Sequence, residues 1–146
     1  GMDGAIDYKN QDVDAELKIK APEGIDVYFD NVGGDMLDIA LDHIKERARV
    51  VICGAISQYG SFETEKRLVQ GPRLYLKLAQ KYARMEGFTV MHFVAQIEEA
   101  SKHLLEYYQE GKLKMTTHYE EGIESFPKAL KIMFDGGHTG KLLVKM

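Results

Sequence analysis

The feature that most constrains this chain is a pair of continuous apolar runs joined by one helix-length segment, all within residues 24–59. The first run, residues 25–29, is apolar except for Asp26 and stops at Asp30-Asn31, ahead of Gly33-Gly34. Leu37, Ala40, Leu41 and Ile44 then recur at helical spacing and predict a single apolar face. Arg49 opens the second run, Val50-Val51-Ile52-Cys53, which breaks at Gly54, Ala55, Ile56, Ser57, Gln58 and Tyr59. Strands apolar on both faces and linked by a helix read as a βαβ unit in a parallel sheet with covered faces. Ligands of such sheets bind beyond the carboxyl ends of the strands. The exits after Phe29 and after Cys53 are therefore predicted to lie side by side at a binding edge.

Around this unit the chain reads as α/β. A short strand is predicted from Gly4 to Tyr8, and a short helix capped by Asp12 ends at Pro22 and Gly24. A polar loop spans residues 60–72, and a helix carries Leu74, Leu78 and Tyr82 on one side, with Arg73, Lys77 and Lys81 on a solvated side. Residues 85–93 predict a strand, and residues 94–110 a long helix burying Ile97, Ser101, Leu104, Leu105 and Tyr108. A half-exposed strand at 112–119, a helix capped by Ser125 with Pro127 in its first turn, and a strand at 140–146 complete the pattern.

Composition excludes several classes of function. A net charge of −4 without a basic block argues against nucleic-acid binding. One cysteine excludes an internal disulfide and a thiolate-rich zinc site. No apolar run approaches the ~20 residues needed to span a bilayer, so no membrane partner is expected and a cytoplasmic setting fits best. The five histidines show no metal-ligand spacing.

Single residues admit two readings each. Asp30-Asn31 is either a cofactor contact or a strand end that favours a turn, and Gly33-Gly34 reads as a helix entry rather than a phosphate cradle. Cys53 is expected to be a buried small hydrophobe rather than a nucleophile. Tyr59 is either a packed aromatic or a functional hydroxyl.

The segments FDNVGG (29–34), RVVICGAISQY (49–59) and RMEGF (84–88) resemble the medium-chain dehydrogenase/reductase superfamily. Within it the resemblance is to the zinc-independent prostaglandin, leukotriene and 2-alkenal reductases. DGAIDYKN (3–10), EGKLK (110–114) and GKLLVKM (140–146) look like the same group in the same order.

The resemblance implies an NADPH-dependent oxidoreductase that delivers hydride to the C=C bond of an α,β-unsaturated aldehyde or ketone, with no metal. It implies that Tyr8 sits near the adenosine end of NADP. Asn31 and the turn Cys53, Gly54, Ala55, Ile56, Ser57, Gln58 and Tyr59 would border the ribose and nicotinamide. Phe88, Thr89 and Val90 would contact the carboxamide by their backbone. Tyr59 is the candidate catalytic hydroxyl, and His138 a further cofactor-side residue. At Gly60 and His138 the chain departs from members that commonly carry asparagine.

No GxGxxG-type turn occurs in the sequence, although a dinucleotide fold uses one to approach the pyrophosphate. The resemblance thus implies the carboxyl-terminal part of a reductase: a partial Rossmann-type sheet with an α+β tail. Residues 1–110 would form part of the dinucleotide domain, and residues 111–146 a tail belonging to the substrate domain. NADP is then expected to bind weakly or not at all to this chain alone. The strand at residues 25–30 would have an open edge, expected to pair with the strand predicted from Ala5 to Tyr8 or with a second copy in a homodimer. The alternative reading is a non-catalytic module acting in oligomerisation or binding.

Overall fold

The structure is a computed structural model, and it describes residues 2–58 and 71–146. The chain divides into two compact units, Gly1–His92 and Phe93–Met146.

The first unit begins with a turn, not with the strand predicted from Gly4 to Tyr8. The Asp7 carboxylate accepts from the Lys9 amide at 3.1 Å, while the Asp7 carbonyl accepts from the Asn10 and Gln11 amides at 3.1 and 2.8 Å. An aspartate that closes its own turn competes with a sheet ladder. Helix α1 (Val13–Lys20) follows, and Asp12 accepts the Ala15 amide at 3.1 Å as its cap. Strand β1 (Ile25–Asp30) leads through Gly33 into α2 (Gly34–Asp42), which returns along β2 (Ile44–Ile52). After α3 (Leu76–Gln80) comes β3 (Arg84–Gly87). The sheet order is β1-β2-β3, with both pairings parallel.

Strand β2 starts five residues earlier than its apolar run suggested. Ile44 lies beyond the end of α2 and pairs with Ile25 as the first residue of β2, and Arg49 pairs with Val27. The residues between bulge out, with Arg47 at φ 61°. The core is a cluster of Leu37, Leu41, Ile44, Ala48 and Val50, flanked by Tyr28, Leu74 and Leu78. Leu41 is fully buried, a placement that stabilises by about 1.5–3 kcal/mol.

The basic residues of α3 and the turn before it are not merely solvated. Arg73 grips Asp38 (Nε to Oδ2, 2.7 Å) and Asp35 (2.6 Å), and Lys77 reaches Asp42 (2.6 Å). Charges judged free in sequence thus tie α3 to α2. The strand predicted at 85–93 is also shorter: it ends at Gly87, and residues Val90–Gln96 form 3-10 turns kinked at Phe93.

In the second unit, α4 (Ile97–Gln109) carries the predicted stripe, yet Ile97, Leu104, Leu105 and Tyr108 are all exposed. Strand β4 (Thr117–Glu121) pairs in parallel with β5 (Lys141–Lys145), and α5 (Phe126–Asp135) makes the crossover. Pro127 sits in the first turn of α5, and Gly136 (φ 63°) closes it in the left-handed conformation. Ser125 does not cap α5 with its side chain; its hydroxyl donates to the Gly122 carbonyl at 2.8 Å.

Candidate cofactor-binding edge

Because β1, β2 and β3 run parallel, their carboxyl ends meet on one edge. Asp30 aligns with Ile52, and Ile52 with Gly87. The turns leaving the first two strands are then laced together by backbone hydrogen bonds. The Cys53 and Gly54 amides donate to the Asp30 carbonyl at 2.8 and 3.1 Å. The Ile56 amide donates to the Asn31 carbonyl at 3.0 Å, and the Ser57 amide to the Val32 carbonyl at 3.1 Å. The Ser57 hydroxyl also donates to the Val32 carbonyl, at 2.5 Å. From the third strand, the Phe88 amide donates to the Ile52 carbonyl at 3.0 Å, and the Phe88 ring meets Phe29 edge-on at 5.8 Å.

The residue that holds this edge together is Asp30, which is 1% exposed. Its Oδ1 accepts from the Val32 amide (2.8 Å), the Gly33 amide (2.9 Å) and the Tyr28 hydroxyl (3.0 Å). Its Oδ2 is buried without a hydrogen-bond partner. Burial, with the Asp30 charge beside it, pushes the Tyr28 phenol well above its ordinary value. Sequence reasoning treated Asp30 as one half of a pair with Asn31. The signal for its role was an aspartate at a strand end, where the side chain can satisfy amides two or three residues on.

Gly33 and Gly34 enter α2 at φ 68° and 58°. A Cβ on Gly33 would stand 2.9 Å from the Ala55 Cβ, and one on Gly34 would stand 3.0 Å from the Ser57 Oγ. The glycine pair therefore lets two turns touch, a packing requirement rather than a phosphate cradle.

The predicted site residues divide as follows. Asn31, Cys53, Gly54, Ala55, Ile56, Ser57 and Gln58 are gathered on the laced turns, and Phe88 adjoins them, followed by Thr89 and Val90. The Thr89 amide donates to His92 Nδ1 at 3.2 Å. Cys53 is exposed, not buried as expected, because the ladder ends at Ile52 and the next residue already belongs to the turn. Tyr8 is exposed on the turn that precedes α1. His138 lies in the second unit, between α5 and β5, with Nδ1 buried and lacking a hydrogen-bond partner. Tyr59 lies outside the described residues.

A parallel sheet with helical crossovers and backbone turns meeting at its carboxyl edge defines the distal part of a Rossmann-type domain. The family profile described as zinc-binding dehydrogenase matches residues 1–144. The chain belongs to that family, in the medium-chain dehydrogenase/reductase group that contains the alkenal, pulegone and prostaglandin reductases. It is 39% identical to a 2-alkenal reductase (NADP(+)-dependent) of Nicotiana tabacum over 99% of its length, and covers 41% of that protein. With (+)-pulegone reductase of Mentha piperita it shares 37% identity, again over 99% of the chain and 41% of the relative. CurA from Vibrio vulnificus, solved in complex with NADPH, superposes with a TM-score of 0.84 at 29% identity, over 99% of this chain and 43% of that one. The chain thus spans about two fifths of the length of these relatives.

The family description names zinc, but among the described residues no three His, Cys, Asp or Glu side chains gather to hold a metal ion. No step is therefore assigned to one. Among the described residues, no helix is long and apolar enough to cross a membrane.

Proposed function

We propose that this chain supplies the nicotinamide-side wall of the cofactor cleft in an NADPH-dependent reductase of α,β-unsaturated aldehydes and ketones. The observation that carries the reading is the lacing of the Asp30–Gly34 and Cys53–Gln58 turns beside Phe88, on the edge where parallel sheets bind ligands. The names of the relatives, 2-alkenal and pulegone reductases, support the substrate class. The residues present suit the nicotinamide half of the cofactor. Asn31, Cys53, Ile56 and Ser57 are exposed on the turns at this edge, whereas no GxGxxG turn is available for the pyrophosphate.

When bound, NADPH supplies the hydride for the β-carbon of the substrate. Asn31 and the Cys53–Gln58 turn would orient the ribose and nicotinamide, and the backbone of Phe88, Thr89 and Val90 would hold the carboxamide. Asp30 keeps the Val32 and Gly33 amides pinned so that Asn31 stays in place. The Tyr59 hydroxyl would donate a hydrogen bond to the substrate carbonyl as negative charge develops there. Residues 1–110 would belong with the cofactor domain, and residues 111–146 with the substrate domain. The open edge of β1 would pair with a second copy of the chain.

The test uses reduced nicotinamide mononucleotide, which keeps the nicotinamide half that the laced turns would wall. Titrated into the chain and followed by amide NMR, it should give weak, saturable shifts at Asn31, Ser57 and Phe88, and Asn31→Ala should diminish them. Shifts scattered over the surface, or none at the edge, would overturn the reading.

A further inference from the structure

A second cleft, of about 650 Å³, opens in the first unit between the bulge of β2 and the start of β3, and is lined by Arg47, Arg49, Tyr82, Ala83 and Arg84. It is remote from the candidate cofactor edge. Arg84 begins β3 and Gly87 ends it, and three residues of strand rise about 10 Å.

Three features of this cleft are unusual together. Arg49 and Arg84 are register partners on neighbouring parallel strands, so two guanidinium groups leave the sheet side by side. Like charges so placed repel one another. Among the described residues, no carboxylate pairs with Arg47, Arg49 or Arg84, whereas Lys18, Lys20, Lys45, Arg73 and Lys77 of the same unit each have an acidic partner. Finally, the cleft contains both non-glycine residues that hold a left-handed backbone among those described, Arg47 at φ 61° and Tyr82 at φ 49°. The Arg47 amide donates to the Lys81 carbonyl at 2.8 Å, and its guanidinium lies 5.8 Å from the Tyr82 ring centroid. Strained backbone of this kind persists where the surroundings over-determine it, and it concentrates at functional sites.

We infer that the Arg47–Arg49–Arg84 cleft is a binding site for a doubly charged oxyanion, a phosphomonoester or diphosphate group. A carboxylate would balance one of the three charges, whereas a phosphate presents several acceptor oxygens and a second negative charge. Planar guanidinium forks match those oxygens in pairs. The Tyr82 ring, already beneath Arg47, offers a face to the organic part of such a ligand. The site is independent of the cofactor reading and would stand if that reading failed.

The experiment titrates inorganic pyrophosphate into the chain at constant ionic strength and follows amide and arginine side-chain NMR signals. Saturable shifts are expected at Arg47, Arg49, Tyr82 and Arg84, with acetate, a singly charged carboxylate, binding more weakly. Arg49→Gln/Arg84→Gln should weaken pyrophosphate binding about tenfold or more, while leaving the far-ultraviolet circular dichroism unchanged. Should that pair fail to fold, Arg47→Gln alone, on the exposed bulge, reads the same loss. Shifts confined to residues outside the cleft, or equal binding by acetate, would each overturn the assignment. Pyrophosphate that displaces nicotinamide mononucleotide from the Asn31 edge would do so as well.

Discussion

Replacing Gly33 with alanine tests whether the two laced turns depend on a missing side chain. Gly33 sits at φ 68°, ψ −160°, a region that costs any other residue about 1–3 kcal/mol. The new methyl would also meet the Ala55 Cβ at 2.9 Å and the Ala55 Cα and Gln58 Nε2 at 3.3 Å. Forcing such contacts apart in a packed site costs about 1–3 kcal/mol more. Gly33→Ala should therefore lose about 2–6 kcal/mol, a large share of the ~5–15 kcal/mol that holds a typical domain together. Urea unfolding followed by circular dichroism measures it. The companion Gly33→Ala/Ala55→Gly removes the opposing methyl, so the double variant should recover much of the contact part and keep the backbone part. A single-variant loss below ~0.5 kcal/mol, or a double variant showing no coupling, would refute the argument that contact between the turns dictates glycine here.

Other outcomes follow from the same geometry. Asp30→Ala strands the Val32 and Gly33 amides and the Tyr28 hydroxyl that now converge on one oxygen. It should cost at least about 1–3 kcal/mol in the same urea assay. Burial raises the Asp38 carboxyl, but the Arg73 guanidinium with the Leu74 and Arg73 amides outweighs it, and the group lies below its ordinary value. Its contribution to stability is therefore complete above the unfolded pKa of ~3.9 and fades as pH falls through the lower folded value. Urea midpoints of Asp38→Asn should accordingly lose less on acidification than those of the parent. Asp12→Ala removes the α1 cap and should cost about 1 kcal/mol, read as earlier fraying of α1 in hydrogen exchange. Exposed Cys53, the single cysteine, should react fully with a thiol reagent without denaturant.

The βαβ unit was legible because apolar runs and helical spacing survive any detail of packing, and the core cluster draws on the residues that carried that pattern. The adjacency of the turns after Asp30 and Ile52 followed from parallel pairing alone. What stayed hidden depends on local competition. Of the first five residues of β2, Ile44 to Ala48, only Ile44 fitted a pattern, and it was the helical one, since a bulged strand has no period. The segment at Gly4 to Tyr8 has strand composition, but Asp7 closes a turn on its own amides. Cys53 continued an apolar run in sequence, while in space the ladder had already stopped. The ion pairs of Arg73 and Lys77 needed α2 beside α3, which no local pattern encodes.

Strand β1 stands at the end of its sheet order, and Val27 and Phe29 are 49% and 53% exposed. Such a border invites any extended chain to add itself unless something interrupts the strand. Asp26 is that interruption, paired with Lys45 at 3.0 Å but still largely in solvent. A charge at the second position of the strand thus disfavours indiscriminate stacking of many copies while leaving the edge open to one specific partner, and neutralising it is expected to make a concentrated solution turn cloudy more readily.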